Sequence, residues 1–248
     1  MNNGIICYRC HQEYANGKCG CKDGITLIHG DCKEVLPLLE KGSVDLVLTD
    51  PPYGIPKGSC FWRKGGTSLE DWGEEIQNRQ VLDWLQRCPV KDGSTLLEFM
   101  RGHPEAIEET CARHRQADWT PWHVVLIVKV NPPPTPRPTF VSGYEAALIS
   151  YRGKRQWFGN GYVPNRWIGQ TPNAQRIGVH PTQKPLDPIV LWASALSPEG
   201  GTILDPFAGS GTTGRAAKDL GRRCILIELE ERYCEIAAHR LEQEVLFT

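Results

Sequence analysis

An excess of charge of either sign is missing from this 248-residue chain: 28 lysines and arginines face 29 aspartates and glutamates, a formal net charge of -1. No global positive field announces a polyanionic partner, so a nucleic acid would have to meet a local basic surface. Long apolar runs are missing too. The longest, near Val124–Val130, falls far short of the roughly 20 residues that span a bilayer. The opening MNNGIICYRC has no basic flank leading into an apolar core, so it does not read as a secretory signal. No internal repeat is visible. These absences predict a soluble, cytoplasmic protein with no membrane partner. The length suffices for one α/β domain with additions, or for two small domains.

What is present is an alternation of short apolar runs with amphipathic stretches. ITLIHGD reads as a strand ending at Asp31, CKEVLPLLEKG as a short helix, and SVDLVLTD as a strand buried on both faces. NRQVLDWLQRC is amphipathic, GSTLLEFM strand-like, 104–117 helical, and HVVLIVKV and EAALISYR are two strands lying side by side. PLDPIVLWASAL, GGTILD, TTGRAAKDLG, RCILIEL and EERYCEIAAHRLEQE continue as helix, strand, helix, strand, helix. Such alternation predicts an α/β, doubly wound, mostly parallel, Rossmann-like sheet. Residues 1–24 lack either period and form a small Cys-rich knob. Residues 25–248 are the main domain, and 151–179 within it have no clear period.

ILDPFAGSGTTG places Gly209, Gly211 and Gly214 in G-x-G-x-x-G spacing, after a strand and at the start of a helix. Glycines there let the backbone approach a ligand at the helix N-terminus, and Glu228, at the end of the next strand, is placed to take ribose hydroxyls. Asp205-Pro206-Phe207-Ala208 intervenes between strand and glycines. A carboxylate there suits a ligand with an amino group and a sulfonium, not a pyrophosphate. That favours S-adenosylmethionine over a nicotinamide dinucleotide.

Asp50-Pro51-Pro52-Tyr53 follows the strand SVDLVLT. Two prolines fix the backbone and remove two N–H donors, so the turn presents acceptors, and Asp50 adds another. Two acceptors held together suit the two N–H groups of an exocyclic amine. Tyr53 offers a flat face for a flipped base. In an open parallel sheet, ligands bind beyond the carboxyl ends of the strands where strand order reverses. If the strands before residues 50 and 205 are neighbours there, donor and acceptor meet.

At these residues the chain resembles the amino-methylating DNA methyltransferases. DPPYG is similar to their catalytic motif, DPFAGSGTT to their cofactor motif, and HPTQKP at 180–185 to an additional cofactor-side motif. The motif order resembles the circularly permuted beta group. The resemblance implies the methyltransferase version of the Rossmann-like fold, S-adenosylmethionine as donor, double-stranded DNA as substrate, and base flipping. It implies roles for Asp50, Pro51, Pro52 and Tyr53 at the base. At the cofactor it implies Asp31, Asp205, Phe207, Gly209, Gly211, Thr212 and Glu228, with Lys184 at the cofactor carboxylate. Asp at position 50, rather than Ser, is similar to the adenine-specific members; N4-cytosine methylation is the alternative. Homodimers occur in the resembling group.

Residues 151–179 hold Arg152, Lys154, Arg155, Trp157, Arg166 and Arg176 among further aromatics, with no acidic residue. This is the local positive surface that the net charge conceals, and it reads as a DNA-contacting, target-recognition segment. Cys7-x-x-Cys10 and Cys19-x-Cys21 give four thiols within fifteen residues, a ligand set for a structural zinc knuckle, with His11 as a substitute ligand. The six other cysteines, and His103, His114, His123 and His239, read as isolated core or surface residues. Two other classes compete: a nicotinamide oxidoreductase, which leaves DPPYG and HPTQKP without a role, and a non-catalytic zinc and nucleic-acid module, which leaves Asp50 and Tyr53 without one.

Overall fold

The computed structural model describes residues 5–52, 84–132, 143–172 and 183–243. Tyr53, the glycine-rich stretch after it, Arg176 and the His180–Thr182 part of HPTQKP lie outside the described residues.

The elements run β1 (Ile25–His29), α1 (Cys32–Val35) with a 3-10 turn (Leu36–Leu38), β2 (Val44–Thr49), α2 (Trp84–Arg87), β3 (Val90–Met100), α3 (Pro104–Gln116), β4 (Thr120–Lys129), β5 (Tyr144–Tyr151), β6 (Arg166–Gly169), α4 (Leu186–Leu196), β7 (Thr202–Asp205), α5 (Thr212–Asp219), β8 (Arg223–Glu228) and α6 (Glu231–Glu242). Among the described residues eight strands form one sheet in the order β1-β8-β7-β2-β3-β5-β4-β6. Every adjacent pair is parallel except those made by β5, which runs against β3 and β4. The doubly wound, mostly parallel expectation is therefore met. β6 is a strand that the aperiodic 151–179 gave no hint of.

Alternation along each strand divides the core into two layers. Leu46, Leu48, Leu97, Phe99, Ile25 and Leu27 share one face with α4 and α5. Val47, Leu96, Ile28 and Ile225 share the other with α1 and α2. α3 covers a smaller cluster around Met100, Ala146 and Leu148. Both faces are covered, which is why the strands read as near-continuous apolar runs.

Strand β7 leads through α5 to β8 on one side, while β2 leads towards β3 on the other. Chain direction along the sheet reverses between β7 and β2, which pair in parallel with Leu46 opposite Ile203 and Val47 opposite Leu204. This is the switch point on which a shared site depends.

A charged cluster around Glu98 lies inside the fold. Glu98 and His114 are fully buried; Glu98 accepts from His114 Nε2 at 3.0 Å and from Arg113 Nη1 at 3.1 Å, and His114 Nδ1 meets Ser150 Oγ at 2.8 Å. His114, unpartnered to the eye in the sequence, thus ties α3 to β3 and β5. Burial pushes the Glu98 carboxyl up, but His114 and Arg113 more than offset this and hold it below the usual carboxylate range. A depressed carboxyl adds stability above its unfolded-state pKa and loses it as pH falls through its folded value. Glu98→Ala should strand His114 and Arg113 and cost roughly 3–5 kcal/mol, read from urea unfolding at neutral pH. A loss under 1 kcal/mol would mean that the cluster is not holding these elements together.

Candidate active site

The two signature loops leave adjacent strand ends and are joined by a hydrogen bond. Thr49 Oγ1, on the last residue of β2, donates to Asp205 Oδ1, on the last residue of β7, at 2.7 Å. Asp205 Oδ1 also accepts from Phe207 N at 3.1 Å. Asp205 is therefore turned inward, where it fastens the turn leading to the glycines and the strand leading to Asp50. Desolvation raises its pKa to about 6, against the lowering effect of hydrogen bonds from Thr213, Thr49 and the Phe207 amide; the nearby Asp50 charge raises it further.

The glycine loop is held from the next strand. Glu228 Oε2 accepts from Gly209 N at 2.7 Å, and Oε1 from Glu230 N at 2.9 Å. Gly211 caps α5 with φ 76°, and a Cβ there would lie 2.9 Å from Ala237 Cβ. A Cβ on Gly214 would lie 2.5 Å from Leu226 Cδ1. The second glycine lets α6 close on the loop, and the third lets α5 close on the sheet. Thr212 Oγ1 accepts from Arg240 Nη1 at 2.8 Å. Phe207 meets the buried Trp84 edge-on, with ring centroids 5.4 Å apart. Asp31 follows β1, the strand beside β8, and caps α1 by accepting from Lys33 N at 2.8 Å. The expected cofactor residues are thus gathered at the ends of three neighbouring strands.

Lys184 is placed differently from the expectation of a cofactor-carboxylate contact. Its ammonium pairs with Asp50 Oδ2 and lies 3.1 Å from Glu145 Oε2, and Glu145 pairs with Lys129 at 2.7 Å. It also sits over the Phe99 ring, 4.9 Å from the centroid. Burial alone would lower the Lys184 pKa; Asp50 and Glu145 reverse that and raise it. Glu145 is held low by Lys184 and Lys129 against its own burial. The result is an alternating row, Asp50–Lys184–Glu145–Lys129, across the ends of β2, β5 and β4. Thr49 and Glu145 went unremarked in the sequence, although each is a polar residue at the end of an apolar run.

The basic aromatic segment is split by the sheet. β5 runs backwards, so its end, Tyr151, lies opposite Thr95 and Thr120, at the rim away from Asp50. Arg152 there donates to Ala117 O and stacks 4.9 Å over Trp119, and Arg155 stacks 4.3 Å over Trp122, which meets Trp157 edge-on. Seven steps of strand put Arg152, Lys154, Arg155 and Trp157 about 20 Å from the rim that holds Asp50. They lie on a different part of the surface from the Asp50 turn. Arg166, by contrast, opens β6 opposite Leu126, level with Ala146 and Met100, on the Asp50 side.

A proline-fixed acidic turn and a glycine loop bonded together at a switch point define a class: an α/β enzyme that brings a nucleotide-like ligand against a polar acceptor group. Residues 44–239 match the N6_N4_Mtase family of DNA methylases. The chain belongs to this family of amino-methylating DNA methyltransferases. It is 28% identical to the type II methyltransferase M2.DpnII of Streptococcus pneumoniae, over 90% of this chain and 91% of that one. It is 27% identical to M.HinfI of Haemophilus influenzae, over 88% and 68%. The solved complex of M1.HpyAVI with SAM superposes with a TM-score of 0.66 at 26% identity, covering 88% of this chain and 100% of that one. The cytosine-N4-specific PvuII methyltransferase shares the fold at TM-score 0.66 and 14% identity, over 91% and 88%. Among the described residues no helix is long and apolar enough to cross a membrane.

Asp205 supplies a pH test. A carboxyl whose pKa is raised on folding binds more protons folded than unfolded, so its contribution to stability falls as pH rises from about 4 to 6. Asp205→Asn keeps an acceptor for Thr49 and removes the titration. The variant should gain on the parent by on the order of 2–3 kcal/mol across that interval, measured by urea unfolding at each pH. A constant difference between the two would show that Asp205 is ionised throughout.

Proposed function

We propose that this protein transfers a methyl group from S-adenosylmethionine to the N6 amine of an adenine flipped out of double-stranded DNA at a specific site, with residues 25–248 as the catalytic domain. The observation that carries the reading is the Thr49–Asp205 hydrogen bond, which ties the strand end before the acceptor turn to the strand end before the donor loop.

The donor set fits the cofactor. Carboxylates at the ends of β1 and β8, Asp31 and Glu228, flank a glycine loop that opens a helix. Acceptors of this kind suit ribose hydroxyls and an ammonium and would repel a pyrophosphate, while the α5 N-terminus favours a carboxylate. Phe207 and the loop backbone from Gly209 to Thr212 would line the same ligand. When bound, the cofactor supplies an electrophilic methyl on a sulfonium.

The protein's part is to prepare the nucleophile. An adenine amine is a poor one because its lone pair is delocalised into the ring. The Asp50 carboxylate and the Pro51 carbonyl accept hydrogen bonds from its two N–H groups, which favours a more tetrahedral nitrogen and turns its lone pair towards the donor loop; the methylated nitrogen then sheds one proton to solvent. Pro51 and Pro52 hold that geometry without competing N–H donors. Lys184 orients the Asp50 carboxylate, and Glu145 orients Lys184. Tyr53 supplies the stacking face. For the DNA, Arg166 is on the base side, and Arg176 joins it as a candidate from the sequence.

Asp50→Ala should lose methyl transfer by at least about a hundredfold while still binding S-adenosylmethionine in calorimetry, as expected when an interaction with the reacting amine is removed. Full activity in that variant would refute the mechanism. Digestion of methylated DNA to nucleosides should yield N6-methyladenine; N4-methylcytosine would reassign the base and leave the site chemistry intact. Arg166→Ala should weaken DNA binding in a gel-shift titration, whereas Lys154→Ala and Arg155→Ala, on the far rim, should leave it within about twofold. The reverse ranking would put the DNA on the other side of the sheet.

A further inference from the structure

The cysteine knob lies outside the methylation site and has its own geometry. We propose that Cys7, Cys10, Cys19 and Cys21 hold one structural Zn²⁺ as four thiolates, and that this metal is the core of a clasp over the open edge of the sheet.

The sulfur positions match the ion. All four Sγ atoms lie within 4.8 Å of one another, and Cys7 Sγ and Cys21 Sγ are 3.8 Å apart. A tetrahedron with Zn–S bonds of about 2.3 Å has sulfur–sulfur edges of about 3.8 Å. A disulfide needs about 2.05 Å, and none of the described cysteines forms one. His11 has φ 54°, is exposed, and stands outside the cluster, so it is not the fourth ligand.

The backbone is built to bring the two pairs together. Cys7 N donates to Gln12 O, and His11 N to Cys7 O, which curls the first pair into a tight loop. Ala15 and Lys18 then exchange both backbone bonds around Asn16 and Gly17, whose φ values are 51° and 76°. Positive φ at both central residues is the signature of a two-residue hairpin turn, for which Asn-Gly is the favoured pair. The turn returns Cys19 and Cys21 to the first loop.

The clasp has a place to act. β1 is a sheet edge, with backbone groups that would otherwise await a partner. Tyr8 N donates to Leu27 O at 2.7 Å, Arg9 Nη1 to Ile25 O at 2.8 Å, and Thr26 Oγ1 to Cys19 Sγ at 3.3 Å. Arg9 also pairs with Asp23 at 2.8 Å. Ile5 and Tyr14 pack into the core on one face of the sheet, while Tyr8 packs against the core on the other. The segment straddles the edge, yet twenty residues cannot bury enough apolar surface to hold such a shape alone. A closed four-sulfur site supplies the missing core, and with no open coordination position it has a structural role and no catalytic one.

Elemental analysis of the full chain, purified from zinc-supplemented medium, should find one zinc per chain. X-ray absorption should find four sulfurs at about 2.3 Å. His11→Ala should retain the metal in full, and Cys10→Ser should lose it. If Cys10→Ser does not fold, refilling the chelated parent chain with Co²⁺ gives the same answer through the sulfur-to-metal charge-transfer bands of a tetrathiolate. Folded protein with no bound metal and four titratable thiols would overturn the proposal, as would a shell containing nitrogen that disappears in His11→Ala. Metal content is read without methyl transfer, so this result stands apart from that of the proposed activity.

Discussion

The hydrogen bond between Thr49 and Asp205 is the constraint on which the site turns. A carboxylate shut away from water is costly, and its raised pKa records that cost. The structure tolerates it because the carboxylate is saturated by donors from both sides of the switch point: the Thr49 hydroxyl from one strand, the Phe207 amide from the loop of the other. Residues 50 and 207 are therefore fixed relative to each other through Asp205. Transfer between two bound groups depends on placing them to within fractions of an ångström, and short, buried, fully partnered bonds are the means of doing so.

Around this bond, acidic groups are given two different tasks. Asp205 and Glu228 hold loop backbone, by way of the Phe207, Gly209 and Glu230 amides. Asp50 and Glu145 instead share the Lys184 ammonium at the strand ends, with Lys129 closing the row. Alternating signs let four charges sit side by side at a rim where like charges would repel. The row also links the turn at Asp50 to β5, which among the described strands runs against its neighbours, so the position of Asp50 is coupled to the half of the sheet that carries Arg166.

The sheet has two edges, and they are treated differently. β6 is a four-residue strand bearing Arg166, short and charged, as edges that must avoid pairing tend to be. β1 is apolar and nearly fully buried, and the cysteine segment covers it with backbone and side-chain bonds. Because β1 ends next to Asp31 and lies beside β8, whatever steadies this edge also steadies the strand end from which Glu228 holds the glycine loop.

Much of this was legible in local pattern. Apolar runs with period two and helices with period 3.6 gave the strands and helices, because burial on both faces leaves a mark in each segment. DPPY and G-x-G-x-x-G stand out because proline and glycine act on their own backbone, and four cysteines crowd within fifteen residues. What required the tertiary structure was every relation between segments far apart in the chain. Lys184 lies 134 residues from the Asp50 it pairs with, and Thr49 lies 156 from Asp205. The direction of β5 decided that Arg155 and Arg166, eleven positions apart, stand on opposite rims. Sequence records what a residue does to its own backbone and to the neighbour one turn away; which charges meet, and on which side of a sheet a side chain emerges, is settled only when strands choose their partners.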